Sequence, residues 1–268
     1  MSAKVITVTS GKGGVGKTTV TANLAAALAM QGHKVVAMDA DIGLRNLDVV
    51  MGLENRIVYD LVDVIEGRCR LRQAMIKDKR QPELYLIPAA QTRDKMAVSP
   101  SDMVLVCDQL RQEMDYVIID SPAGIERGFR NAIAPADQVI IVTNPEVSAV
   151  RDADRIIGLV EAEEKGPAKL LVNRLKPAMV ARGDMLSIED VIDILAIDLI
   201  GVIPEDESIL VASNQGLPVA MASVNGSSAS QAFRNVAQRI EGEEVPFLNL
   251  AQKDGFMERL RGWLVGEI

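Results

Sequence analysis

Histidine and cysteine are nearly missing from this chain of 268 residues: His33 is the single histidine, and Cys69 and Cys107 are the two cysteines. The cysteines lie far apart with no Cys or His neighbour at ligand spacing, which argues against a zinc site, a disulfide framework and a Ser/His/Asp triad. Excess positive charge is missing too. Lys and Arg total 29 against 37 Asp and Glu, a net charge of −8, so the surface as a whole is unsuited to coating a polyanion. No stretch approaches the roughly 20 apolar residues of a membrane span, and the opening MSAKVITVTSG has no long apolar leader run. The chain is therefore expected in the cytoplasm or on its membrane face. It also lacks an internal repeat, a low-complexity block and a Ser/Pro-rich linker, which leaves one large domain, 1–250, and a short tail, 251–268.

What is present is a series of short runs rich in Val and Ile that are apolar on both faces, the pattern of parallel strands buried on both sides. They are KVITVT (4–9), KVVAMD (34–39), ELYLIPA (83–89), YVIID (116–120), QVIIVT (138–143), KLLVN (169–173) and LIGVI (199–203). Helical spacing fills segments between them, notably 18–32, 99–114 and 146–164. Strands alternating with helices predict an α/β fold with a doubly wound, mostly parallel sheet and helices on both faces. Ligands of such sheets bind at the carboxyl ends of the strands, so the loops after Thr9, Met38, Ile119, Thr143 and Val172 should surround the site. VNGSSAS (224–230) reads as a loop before a helix, SQAFRNVAQRI, and 241–255 as a polar linker.

The stretch SGKGGVGKTT contains G-x-x-x-x-G-K-[ST] from Gly11 to Thr18, after a predicted strand and before a predicted helix. Backbone amides of Gly11, Lys12, Gly13, Gly14, Val15 and Gly16 would turn inward around phosphates at the positive end of the helix that Lys17, Thr18 and Thr19 begin. Lys17 would reach the β- and γ-phosphates and Thr18 would offer its hydroxyl to Mg²⁺. With the amides inward, the second lysine, Lys12, points away from the phosphates of its own loop. It is either a solvated side chain or free to serve another site.

Two carboxylates, Asp39 and Asp41, end the second strand in DADIGLRNLD, where they suit a magnesium shell or a positioned water; capping of the next turn is the alternative. Asp120 ends the run YVIID as a Walker B acid would, contacting Mg²⁺ through its waters, and Gly124 of DSPAGIE could present its amide near a γ-phosphate. Asn173 in VNR carries a donor and an acceptor on one amide, as adenine recognition requires, though alone it would pass for a turn residue. With the preceding motifs, and with no N-K-x-D signature of a guanine site at a strand end, ATP is favoured over GTP.

In the tail DGFMERLRGWLVGEI, a helix would gather Phe256, Met257, Leu260, Trp263, Leu264 and Ile268 on one face, with Arg259 and Arg261 flanking it. This is the arrangement of an interfacial helix whose arginines reach lipid phosphates, or of a terminal helix docked on the protein's own core. With two arginines and Glu258 and Glu267 nearby, one copy would hold a membrane weakly. Two copies in one dimer could raise avidity by about 10²–10⁴.

KGGVGKTT, with its second lysine, resembles the deviant Walker A motif of the MinD/ParA/nitrogenase-iron-protein ATPases. DADIGLRNLD, DSPAGIE, VNR, IPED, SNQG-PV and the amphipathic end extend the resemblance over essentially the whole chain, nearest to the septum-site-determining members. It implies a P-loop NTPase fold, hydrolysis of ATP with Mg²⁺ and ADP as product, and a homodimer when ATP is bound. It further implies that Lys12 crosses to the nucleotide of a second copy, that Asp41 orients the attacking water and Asp39 supports it. Asn173 and Arg174 would lie by the base, with Pro204, Glu205 and Asp206 of IPEDESIL against it. The implied partners are the division inhibitor MinC and the hydrolysis stimulator MinE, on a surface that includes the helix of Asp152, together with an anionic membrane on the cytoplasmic side. DNA binding is not expected, since a ParA-type partition protein would show a basic stripe and no amphipathic end. A FlhG-like flagellar ATPase is the nearer alternative, but usually carries an N-terminal extension for which a first strand at residue 4 leaves no room. A small-molecule synthetase would need a dedicated substrate pocket that no motif marks. An iron–sulfur role would need cysteines after matching motifs, where Cys69 and Cys107 do not stand.

Overall fold

The Val- and Ile-rich runs pair side by side, because a strand apolar on both faces is stable only between two layers of helix. A computed structural model describes residues 3–93, 97–222 and 227–250. In chain order the elements are β1 (Lys4–Thr9), α1 (Lys17–Met30), β2 (Val35–Asp39), α2 (Leu47–Val50), α3 (Leu61–Ile65), α4 (Leu71–Ala74), β3 (Ile76–Lys77) and β4 (Leu84–Ile87). They continue with α5 (Pro100–Leu110), β5 (Tyr116–Asp120), α6 (Arg127–Ile133), β6 (Gln138–Thr143), α7 (Val147–Ala162), β7 (Ala168–Leu175) and α8 (Pro177–Ala181). The last described elements are α9 (Ile188–Leu195), β8 (Leu199–Pro204), α10 (Glu207–Asn214) and α11 (Ser228–Ile240).

The eight strands lie in the order β3-β4-β2-β5-β1-β6-β7-β8. Every pair is parallel except β3 on β4. The chain winds outward from β1 in both directions, so the loops after β1, β2, β5 and β6 meet at one edge of the sheet, where a doubly wound fold binds its ligand. Helices α1, α2, α10 and α11 cover one face, and α3, α5, α6, α7 and α9 cover the other.

Alanine-rich α1 is buried on almost every side, pressed between the sheet and α11; small side chains let the two helices and the strands approach closely. By contrast α5 starts at a conventional stop: Ser99 accepts from the Asp102 amide, Asp102 returns the bond, and Pro100 fills the first turn. His33 follows α1, pairs with Glu241 beyond α11 and meets the Tyr116 ring edge-on at 5.2 Å. The lone histidine is thus a structural tie between helix ends.

The stretch after α11 departs from the expected polar linker. Arg239 donates from Nε to the Val245 carbonyl (2.9 Å), from Nη2 to that of Pro246 (2.9 Å) and from Nη1 to that of Ile200 in β8 (3.0 Å). Its guanidinium also lies 4.1 Å from the centre of the Phe247 ring, and Leu248 packs on the core. The segment is strapped to the body at least as far as Leu248, because one guanidinium satisfies carbonyls that a free linker would leave to water.

Candidate nucleotide site

Between β1 and α1 the loop makes two demands that only glycine meets. Gly16 has φ 98°, in the left-handed region, and a Cβ there would sit 2.4 Å from Nδ2 of Asn173. Gly11 lies against α7, where a Cβ would meet the Asp152 carbonyl oxygen at 2.2 Å. As the N-cap of α1, Gly16 supplies no side chain to its first turn. The positive end of α1 is left facing the space at the strand ends, as an anion site requires.

Lys17, 8% exposed, donates to Ser10 Oγ at 3.0 Å, and Ser10 donates to the Lys12 carbonyl at 2.8 Å. Burial pushes the Lys17 amine below its ordinary value, while the Asp120 and Asp41 charges act against that shift. Its ammonium is hydrogen-bonded within the loop region and placed for a stronger anion. Asp120, at the end of β5, accepts from Thr18 Oγ1 at 2.7 Å and from Thr21 Oγ1 at 3.3 Å. Burial, followed by the charge of Asp39, pushes the Asp120 carboxyl well above the usual range against the pull of Thr18 and Lys17. A cation at this spot would relieve that stress. Hydroxyl and carboxylate oxygens are the donors Mg²⁺ takes, and Mg²⁺ normally needs only one or two protein carboxylates beside phosphate. Among the described residues no group of three His, Cys, Asp or Glu is arranged to hold a metal by itself. The residues present fit Mg²⁺ carried with a nucleotide.

Asp39 is almost wholly buried, and its oxygens accept the amides of Asp41 (2.9 Å), Asn46 (3.2 Å) and Leu47 (3.2 Å). Burial raises its carboxyl above the ordinary range despite these bonds. Asp39 therefore shapes the loop from Ala40 to Asn46 that carries Asp41. Asp41 itself is half-buried beside the loop after β5, where it lines a cavity of about 40 Å³ together with Pro122 and Glu126. The Gly124 amide, expected near a γ-phosphate, donates to the Ser10 carbonyl at 3.3 Å. It ties the loop after β5 to the start of the phosphate loop.

Lys12 stands apart from this cluster. Its Nζ donates to Ser148 Oγ at 3.2 Å and is 4.0 Å from Glu146 Oε2, at the start of α7. Asn173 is buried and donates from Nδ2 to the Val15 carbonyl at 2.7 Å, so the tip of β7 holds the phosphate loop. Arg174 follows with φ 56°, and the β7–β8 pairing slips between Val172 and Leu175. Such an irregularity re-aims side chains at the end of a strand. Arg174 Nε comes within 4.0 Å of Glu205 Oε2, and both line a depression of about 700 Å³ shared with Pro145 and Glu146. Pro204 is buried at the end of β8. The Asp206 carboxylate is spent on the neighbouring helices: it accepts from the Ser208 amide at 2.9 Å, Ser227 Oγ at 3.0 Å and the Ala229 amide at 3.2 Å. Thr19 contributes its carbonyl to Asn23 Nδ2 at 2.8 Å.

The structure thus gathers Lys17, Thr18, Asp39, Asp41 and Asp120 at the ends of β1, β2 and β5, sets Asn173, Arg174, Pro204 and Glu205 to one side, and turns Lys12 outward. Ser10, Thr21 and Ser148 were missed by the sequence reading. Ser10 and Thr21 adjoin the motif, and Thr21 follows Thr18 by three residues on α1, a spacing that could have marked it. Phe256, Met257, Arg259, Leu260, Arg261, Trp263 and Leu264 lie outside the described residues. Among the described residues no helix is long and apolar enough to cross a membrane.

Comparison with known proteins gives one answer. The CobQ/CobB/MinD/ParA nucleotide binding domain matches residues 6–219. The septum site-determining protein MinD of Synechocystis sp. is 54% identical over 264 residues, which covers 98% of this chain and 99% of that one. Among solved structures, a chain of the MinC:MinD cell division complex of Aquifex aeolicus superimposes with a TM-score of 0.86 at 48% identity, over 92% of this chain and 99% of that chain. MinD of Pyrococcus horikoshii, solved with Mg-ADP, superimposes with a TM-score of 0.80 at 31% identity, over 89% of this chain and 96% of that chain. The chain belongs to the CobQ/CobB/MinD/ParA nucleotide-binding family, among the MinD ATPases that determine the site of the division septum.

Proposed function

We propose that this protein is a Mg²⁺-dependent ATPase whose ATP-bound form is a homodimer, held on the cytoplasmic face of the inner membrane by its C-terminal tail. There it recruits MinC, and MinE-stimulated hydrolysis releases it. The observation that carries the reading is the position of Lys12, whose ammonium leaves its own loop for Ser148 and Glu146. A lysine so placed points away from the phosphates its own loop would cradle, and its exposed contacts with Ser148 and Glu146 would be exchanged for the nucleotide of a second copy.

Within one subunit, Lys17 would bind the β- and γ-phosphates while the amides of Gly11 to Gly16 cradle them. Thr18 and Asp120 would hold Mg²⁺, which would supply charge neutralisation to the phosphates. Asp41 would orient the attacking water, its loop pinned by Asp39. Lys12 from the second copy would add a cation where charge develops in the transition state, making turnover conditional on dimer formation, as an arginine finger does. Asn173, Arg174 and Glu205 would meet the base, so one strand tip would sense the base and grip the phosphate loop together. MinC, found with the Aquifex aeolicus relative, and MinE would bind a surface that includes α7 at Asp152.

The test is co-sedimentation of the full chain with anionic liposomes and with duplex DNA, each with ATP or ADP. Pelleting with liposomes in ATP alone is expected. ATP-dependent binding to DNA but not to liposomes would overturn the membrane reading in favour of a partition-type role.

A further inference from the structure

Helices α8 and α9 leave an apolar groove of about 370 Å³ outside the nucleotide site. Leu175, Val180, Ala181 and Ile188 line it, Glu189 brings the one charged side chain to the lining among the described residues, and Leu250 completes it. Leu250 is also the last described residue, so the chain enters its tail from the lining of this groove.

We propose that this groove is the resting place of the chain's own residues 251–268, and that the tail is either in the groove or in a membrane. The inference rests on reading the tail as one amphipathic helix. A helix of that length reaches about 27 Å at 1.5 Å per residue, ample for a site that begins at its first residue. Tethering gives an effective concentration on the order of millimolar, so a shallow apolar groove suffices. The chemistry matches as well: Phe256, Leu260 and Leu264 have apolar walls to meet, and Arg259 and Arg261 have Glu189. Because the face that would fill the groove is the face that would enter lipid, groove occupancy lowers the apparent membrane affinity by the fraction of tails undocked.

The groove also has a route to the nucleotide. Val180 lines both this groove and the 700 Å³ depression of Arg174 and Glu205, so α8 is a wall common to the two. A shift of α8 toward a bound base or a second copy would reshape the groove from behind.

Trp263 is the single tryptophan of the chain, so its emission reports the tail. In the full-length protein without lipid or nucleotide, blue-shifted emission is expected. Ala181→Glu, at an exposed position of α8, should shift it to the wavelength of water-exposed tryptophan and raise binding to phosphatidylglycerol vesicles without nucleotide at least fivefold. Leu264→Glu should give the same red shift with the body untouched. Water-like emission in the wild type, unchanged by Ala181→Glu, would overturn docking even if ATP-dependent vesicle binding persists, which leaves the membrane reading intact. Blue emission that appears only as protein concentration rises would assign the groove to the tail of a second copy and overturn the proposal. If Ala181→Glu shifts the emission but no form binds vesicles, the groove assignment stands and the membrane reading fails.

Discussion

Gly11→Ala and Gly13→Ala, two positions apart in one loop, should behave oppositely. An alanine Cβ at position 11 would sit 2.2 Å from the Asp152 carbonyl oxygen, 2.4 Å from its carbon and 2.7 Å from its Cβ, whereas at position 13 nothing lies within 4 Å. The first two obstacles are helix backbone, which cannot swing aside as a side-chain tip can. Restoring even a tight 3.4 Å contact requires the loop and α7 to part by about 1.2 Å, the difference from 2.2 Å. Overpacking of this kind costs about 1–3 kcal/mol, or about 2–12 °C in Tm for a domain of this size. Displacing a phosphate-binding loop by about 1 Å costs on the order of 10²-fold in turnover. Steady-state ATP hydrolysis and thermal unfolding of both variants measure the two effects. Gly13→Ala serves as the control for stability only, since its amide belongs to the proposed phosphate cradle; with nothing within 4 Å of the added Cβ, it should unfold within about 0.5 kcal/mol of wild type. A kcat/KM for Gly11→Ala within threefold of wild type, or an equal loss of stability in the two variants, would refute the proposed contact between the phosphate loop and α7.

Arg80→Ala removes a guanidinium that donates to buried Asp78 and to the carbonyl of Gly216 at 2.8 Å. Breaking a buried pair costs about 3–5 kcal/mol, and the 38% exposure of Arg80 reduces this to about 2–3 kcal/mol, seen as a Tm lower by about 4–12 °C. Burial raises the Asp78 carboxyl, but Arg80 and nearby amides outweigh it and hold the group below the usual range. Its stability contribution is therefore present above the unfolded pKa of about 3.9 and lost as pH falls through the lower folded value, so Asp78→Asn should flatten the acid limb of a stability–pH curve. Titration with Ellman's reagent should find one reactive thiol in the native protein and two in denaturant, because Cys107 is buried with its thiol pushed up to about 12 while Cys69 is partly exposed. Two native thiols would mean that α5 opens. Lys12→Ala should change stability by less than about 0.5 kcal/mol and keep nucleotide binding, yet lose partner-stimulated hydrolysis; normal stimulation would show that the lysine does not act across an interface.

The sheet and its site were readable for a physical reason. The seven strands read from 4–9 to 199–203 are largely buried on both faces, and such strands announce themselves by apolar runs that need no partner information. The loop from Gly11 to Thr18 is similarly local, since its chemistry depends on neighbours in sequence. What escaped depends on distant groups or on too few residues. Strand β3 has two residues and exists only through its pairing with β4. Helices α2, α3, α4 and α8 span four or five residues each, little more than one turn. Helix α9 was legible in principle, because Ser187 and Asp190 form a capping box ahead of an apolar stripe. The strapped segment after Glu241 is polar and resembles a linker, but its main-chain carbonyls are held by Arg239, and carbonyls leave no trace in a sequence. The bond from Asn173 to Val15 is likewise a side chain meeting backbone 158 residues away.

The two ends of the sheet bear on how many such molecules can share a crowded surface. An open sheet offers unpaired backbone at its first and last strands, an invitation to further copies and to fibres. Here one end is a two-residue stub, Ile76–Lys77, and at the other a guanidinium occupies the Ile200 carbonyl. In the ATP-bound homodimer proposed above, copies gathered at high local density would be denied this cheapest wrong contact.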